Sequence, residues 1–156
     1  MRLTRAGEYG IRCILHLARH GKGMLVSRKE IAVRTDVPPD FLAKIAQQLA
    51  RAGIIEILQG ANGGYRLLAD PSEITLLSVI EAIIGEISLN DCVGRPESCQ
   101  NSTLCTVHRV WNKANQQLRT TLQEANFATL AAEDACCLTP FPDTGSHTQL
   151  SGKKII

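Results

Sequence analysis

The sequence predicts a mainly α-helical fold, a winged helix-turn-helix with a small β-hairpin wing and a long C-terminal helix suited to dimerisation. Three observations carry this prediction. Two short helical segments are separated by Asp36-Val37-Pro38-Pro39. A glycine-rich connection, residues 59–64, follows them between two β-compatible runs. A helical apolar stripe begins near Thr103 and is too long to be covered by so small a domain.

The elements follow in order. Over residues 8–20, Ile11, Ile14, Leu15 and Ala18 recur at helical spacing, and Gly21 and Gly23 end the pattern. Ser27-Arg28-Lys29-Glu30 reads as a capping box, with Val26 and Ile31 placed as its hydrophobic staple, so a short second helix spans 28–35. Proline disfavours a helical residue before it but suits the first helical position. A third helix therefore covers 39–52, closed by Gly53, with Leu42, Ile45, Ala46 and Leu49 inward. Asp40, Lys44, Gln47 and Arg51 form its polar stripe.

Residues 54–58 and 65–68 form the hairpin around Gln59-Gly60-Ala61-Asn62-Gly63-Gly64. A fourth helix, capped by Thr75, covers 76–87, and an irregular loop with Gly94 and Pro96 follows. Val107, Val110, Trp111, Ala114, Leu118, Leu122 and Ala125 mark a single amphipathic helix over 103–130, ~40 Å long. Pairing with its copy in a second subunit is the economical way to cover it. The domain organisation expected is a winged-helix unit over 1–88, a metal-binding loop over 89–104, a dimerisation helix over 105–135 and a flexible tail over 136–156.

Charge divides unevenly. Residues 1–70 hold eleven Lys and Arg against six Asp and Glu, and residues 71–156 hold six against nine. A basic first half suits a nucleic-acid-facing module. The longest apolar run, 74–84, is interrupted by Ser78 and Glu81 and is too short to span a bilayer. The charged start Met1-Arg2-Leu3-Thr4-Arg5 is unlike a secretory leader. A cytoplasmic protein with no membrane contact is expected. No Ser-His-acid arrangement, phosphate loop or pair of catalytic carboxylates stands out, so catalysis is not expected.

In a winged helix-turn-helix the second helix of the pair enters the major groove and the hairpin reaches the neighbouring backbone. Lys44 is then placed to donate to guanine, Gln47 to pair with adenine and Asp40 to accept from cytosine. Arg28, Lys29, Arg51 and Arg66 are candidate phosphate contacts, with Gln59 and Asn62 at the wing tip. Taken alone, the polar stripe reads as the solvated side of an amphipathic helix. The turn, the capping box, the hairpin and the charge asymmetry favour double-stranded operator DNA as its partner.

Six cysteines in a cytosolic chain argue for metal or redox chemistry over a disulfide framework. Cys92, Cys99, Cys105 and His108 lie within seventeen residues, and Cys105 and His108 are i, i+3 at the start of a helix whose positive end favours thiolate. Three readings stay open on spacing: tetrahedral zinc, an iron-sulfur cluster, or thiols that hold no metal. Cys13 reads as a packed helical residue. The Cys136-Cys137 pair carries no assignment.

The start Met1-Arg2-Leu3-Thr4 with Gly7 and Tyr9, the hairpin string Gly60-Ala61-Asn62-Gly63-Gly64-Tyr65-Arg66-Leu67 and the three loop cysteines together resemble the Rrf2 family of transcription regulators, up to about residue 133. The resemblance implies a homodimeric winged-helix fold and operator binding. In the cysteine-bearing IscR-like and NsrR-like branches it implies an iron-sulfur cluster that reports iron-sulfur status, redox state or nitric oxide. [2Fe-2S] is placed slightly ahead of [4Fe-4S], with zinc as the alternative.

The IscR-like branch puts its histidine ligand at the position of His108. The NsrR-like branch takes an acidic ligand matched by Glu8 of the partner subunit, and His108 is the first choice here. Departures from the pattern are a first cysteine spacing one residue longer than the IscR-like one, Gln59 where many relatives have arginine, Pro38 in place of a hydroxyl cap, and Ala43 where IscR-like members carry glutamate. No operator sequence is therefore carried over. Besides a cluster-bearing regulator, the sequence admits a zinc or thiol-based regulator and a small non-regulatory iron-sulfur protein.

Overall fold

The computed structural model describes residues 4–101 and 103–137, with side chains to residue 133. Of the tail expected over 136–156, residues from 138 onward lie outside the described residues. The first helix, α1 (Arg5–His20), begins earlier than its apolar periodicity suggests, because the Thr4 hydroxyl accepts from the Gly7 amide at 3.2 Å and caps it. Strand β1 (Val26–Ser27) leads directly into α2 (Arg28–Thr35). Ser27 caps α2 by accepting from the Glu30 amide at 3.2 Å. The Glu30 carboxylate lies 3.6 Å from both His16 and His20, in place of the expected return bond.

Asp36, at φ 53°, takes the left-handed conformation that ends α2. The next helix, α3 (Pro39–Arg51), starts on its proline with no side-chain cap from Pro38. Its inward residues are Leu42, Ile45, Ala46 and Leu49, as the periodicity predicts. They join Ile14, Leu17 and Ile31 in one core, together with the staple residue Val26.

The wing is β2 (Ile55–Leu58) and β3 (Gly64–Leu67), antiparallel, with Glu56 opposite Arg66. β1 adds to the free side of β3, pairing Val26 with Tyr65, so the sheet order is β1-β3-β2. The sequence reading missed this third strand. A Cβ on Gly64 would strike the Val26 carbonyl, and one on Gly63 would strike the Leu58 carbonyl. Gly64 thus lets the wing pack against the strand that leads into α2, and Gly63 lets the hairpin turn close on Leu58.

Helix α4 (Leu76–Ile84) carries a reciprocal capping box between Thr75 and Ser78 and stops at Gly85, shorter than expected. The loop expected after it contains a short helix, α5 (Asp91–Gly94), and a single 3₁₀ turn at Pro96–Ser98.

The single helix expected over 103–130 is in fact two, α6 (Thr106–Glu124) and α7 (Phe127–Cys137). Ala125 is extended, and its carbonyl accepts from the Leu76 amide at 2.8 Å. The Phe127 amide donates to the Ile74 carbonyl at 3.0 Å, and Asn126 caps the new helix by accepting from the Thr129 amide at 2.9 Å. These bonds replace the helical ones lost at the break. The turn delivers Phe127, fully buried, into the core beside α1.

Helix α6 packs its C-terminal half on α4, where Leu118 and Leu122 cover Leu77, Ile80 and Ile87. The Arg119 guanidinium pairs with both oxygens of Glu81, and the Asn115 amide oxygen accepts from the Leu89 amide at 3.0 Å. α4 is in turn tied to α3, since the Gln48 side chain donates to the Ile83 carbonyl at 3.1 Å. The helix that follows the cysteines is thus linked through α4 to the helix expected to read DNA.

Candidate nucleic-acid interface and cysteine segment

A groove of about 670 Å³ opens between α2, α3 and the wing. Its walls include Ser27, Arg28 and Lys29 from the start of α2, Ala43 and Gln47 from α3, and Gln59, Gly60 and Ala61 from the turn of the wing. Four of the residues singled out in the sequence, Arg28, Lys29, Gln47 and Gln59, therefore line one concavity from three separate elements. The small side chain of Ala43 keeps it open beside Gln47.

Asp40, Lys44, Arg51 and Asn62 are exposed outside that lining. Arg66 is half-buried and already paired, with its Nε and one terminal nitrogen each 2.6 Å from the Glu56 carboxylate across the strands. The sequence reading overlooked this pair, although the register that puts the two residues opposite follows from the hairpin once its turn is placed. Behind the groove, Arg12 lies over the Tyr9 ring at 5.9 Å and donates to the Thr35 carbonyl at 3.4 Å, holding α1 to the end of α2.

Cys92 lies on α5, Cys99 follows the 3₁₀ turn and Cys105 caps α6. All three are half-buried free thiols. The Cys105 sulfur accepts from the His108 amide at 3.4 Å, so cap and candidate ligand are the same atom. His108 Nε2 lies 2.8 Å from the Asn112 side-chain amide, and its Nδ1 is buried with no hydrogen-bond partner. The Asn112 Nδ2–H donates to Nε2, so in this arrangement Nδ1 carries the ring proton, and ligation through Nδ1 requires the imidazole to change tautomer and the Asn112 amide to turn over.

Three thiols and an unsatisfied buried ring nitrogen fit the donor set of a soft metal centre. Among the described residues, no three of Cys92, Cys99, Cys105 and His108 bring their ligand atoms within 4.8 Å of one another. Glu8 is exposed in the first turn of α1. The segment also carries bare apolar surface: Leu104, Val107, Val110 and Trp111 are between 40% and 89% exposed. Cys13 is of a different kind, since complete burial in α1 pushes its thiol pKa up to about 12.

A helix pair with a three-stranded wing flanking an open basic groove defines a winged-helix protein of the DNA-reading class. A family model described as Rrf2, iron-dependent transcriptional regulator, matches residues 3–133, and the chain belongs to the Rrf2 family. It is 28% identical to the HTH-type transcriptional regulator IscR of Vibrio atlanticus, over 86% of this chain and 77% of that one. It is also 28% identical to a putative HTH-type transcriptional regulator of Haemophilus influenzae, over 83% of this chain and 86% of that one.

Among solved structures, CymR, the global cysteine regulator of B. subtilis, superposes with a TM-score of 0.70 at 23% identity, covering 85% of this chain and 98% of that one. IscR of T. potens gives a TM-score of 0.68 at 24% identity, covering 86% and 88%. No helix among the described residues is long and apolar enough to cross a membrane.

Proposed function

We propose that this chain is a cytoplasmic, homodimeric transcriptional regulator whose affinity for operator DNA is governed by an iron-sulfur cluster held by Cys92, Cys99 and Cys105, with His108 as fourth ligand. The observation that carries the DNA reading is the shared groove, in which Arg28, Lys29, Gln47 and Gln59 converge from α2, α3 and the wing. In this reading α3 lies in the major groove, with Gln47 on adenine, Lys44 on guanine and Asp40 on cytosine. Arg28, Lys29 and Arg51 hold phosphates, Gln59 and Asn62 meet the backbone at the wing tip, and Arg66 braces the wing through Glu56 while its remaining N–H groups face phosphate.

The family's description as iron-dependent favours iron over zinc at the cysteines. The donors themselves, three thiols and an imidazole, suit either a zinc ion or an iron-sulfur cluster. Such a cluster supplies an exchangeable, redox-active group that responds to iron-sulfur status, oxidants or nitric oxide.

The protein's part is to couple the segment 89–105 to the DNA face. Asn115 and Arg119 fasten α6 to Leu89 and to Glu81 of α4, and Gln48 fastens α4 to α3. The exposed Leu104, Val107, Val110 and Trp111 pack against the same face of a second subunit. A shift of the cysteine segment then alters the spacing of the two α3 helices, to which half-site recognition is sensitive.

Anaerobic purification followed by iron and acid-labile sulfide analysis, absorption and EPR tests the cluster. A coloured protein with matched iron and sulfide is expected, and a colourless one with stoichiometric zinc contradicts it. A non-regulatory iron-sulfur protein would show no salt-dependent binding to duplex DNA.

A further inference from the structure

Away from the cysteine segment, α1 and α2 bring three further ligand-type side chains together. His16 and His20 are four residues apart on α1 and so share a face, with ring centroids 4.9 Å apart. Glu30, in the first turn of α2, places one carboxylate oxygen 3.6 Å from Nε2 of each imidazole. One ligand atom from each of the three residues lies within 4.8 Å of the other two.

His16 Nε2 is sealed from solvent and has no hydrogen-bond partner, whereas the side chains of His20 and Glu30 are 38% and 43% exposed. The cluster therefore has a buried end with an unmatched nitrogen and an open end with a path to water. The ion pairs with Glu30 leave His16 Nε2 3.6 Å from the carboxylate, beyond hydrogen-bond reach, and buried polar atoms are ordinarily matched. The 3.6 Å separations are close to the roughly 3.3 Å expected between two ligand atoms on a tetrahedral ion with bonds of about 2.0–2.1 Å.

We propose that His16, His20 and Glu30 form a second metal site, independent of the cysteines, that binds a divalent first-row transition ion such as zinc, with water completing the shell. Two imidazoles and one carboxylate suit such an ion and not magnesium or calcium, which prefer all-oxygen sets. Glu30 sits two residues past Arg28 and beside Lys29, both in the groove wall, so an ion at this site fixes the start of α2 against α1.

The test is made on the full chain with Cys92→Ser, Cys99→Ser, Cys105→Ser, Cys136→Ser and Cys137→Ser, leaving the fully buried Cys13, so that thiolates do not compete. Calorimetric titration is expected to give one zinc per chain, weakened about tenfold or more by His20→Ala and by Glu30→Gln. Cobalt(II) should bind with a spectrum free of thiolate-to-metal charge transfer, and magnesium should give no heat. Absence of zinc uptake, or uptake unchanged by both substitutions, overturns the proposal. If the serine chain does not fold, the unsubstituted protein is titrated and read by NMR of the histidine rings. Selective shifts of His16 and His20 support the site, and rings that do not move overturn it. Because the thiols are removed or read separately, failure here is distinct from failure of the cluster reading.

Discussion

Ile14, Leu17, Ile31, Leu42, Ile45, Leu49 and Phe127 are each at most 2% exposed, and α1 and α2 start on side-chain caps from Thr4 and Ser27. Eight residues of the cysteine segment, 104–111, present Leu104, Val107, Val110 and Trp111 to solvent and leave His108 Nδ1 buried and unmatched. Within one small chain, the winged-helix body packs a continuous core, with Met24, Leu25, Val33, Phe41 and Leu68 exposed and His16 Nε2 unmatched outside it, while the segment from the cysteines into α6 gathers four exposed apolar side chains within eight residues. The body thus carries most of the core, and the cysteine segment carries clustered apolar surface.

The largest expected effect separates the two regions directly. Phe127→Ala empties a fully buried site and should cost about 3–5 kcal/mol in a urea melt. Trp111→Asp, on the exposed face of α6, should leave the melt of the single subunit nearly unchanged and turn a dimer into a monomer by light scattering. Equal destabilisation by both would erase the distinction between body and segment.

On the groove, Gln47→Ala should cost about 1–3 kcal/mol on the best DNA site and relax selectivity at one base. Arg28→Ala should weaken all sequences alike and reduce the salt slope by about one. Fluorescence anisotropy over a salt series distinguishes them, and identical behaviour would remove the division between reading and positioning.

The thiols sharpen the same comparison at smaller cost. Cys13 has its pKa raised from 9.0 to about 12 by burial. The unfolded chain then loses this proton first, so the contribution is complete below pH 9 and declines as pH rises from 9 towards 12. At pH 10 the loss is about 1.4 kcal/mol. Cys13→Ala should flatten that alkaline slope. In native, metal-free protein, alkylation should mark Cys92, Cys99 and Cys105 and spare Cys13, while modification of all four at one rate would contradict the contrast.

The body was legible because its signals are local. Ser27, Pro38, Pro39 and the four inward residues of α3 set helix limits and burial without reference to distant chain, and the hairpin string announces the wing. The break after Glu124 was not legible. Ala125 continues the apolar stripe, and its extended backbone is imposed from 49 residues away by the Leu76 amide. β1 has only two residues, too few for alternation to show, and exists because Gly64 admits the Val26 carbonyl.

Of the nine residues the sequence offered for DNA contact, four line the groove, and the pairing that ties Arg66 to Glu56 required the strand register. The His16 and His20 spacing was visible in the sequence. Its third member was hidden because Glu30 already had an explanation as half of a capping box, a role its carboxylate does not take up.

The central claim is that occupancy of the cysteine segment governs the DNA face. It is tested by measuring affinity for the same pool of genomic duplex fragments with anaerobically purified, coloured protein and with protein stripped of iron and sulfide, at one salt concentration. A change of about 5–150-fold in affinity for a defined subset of fragments is predicted. The same fragments bound with the same affinity by both forms would contradict it.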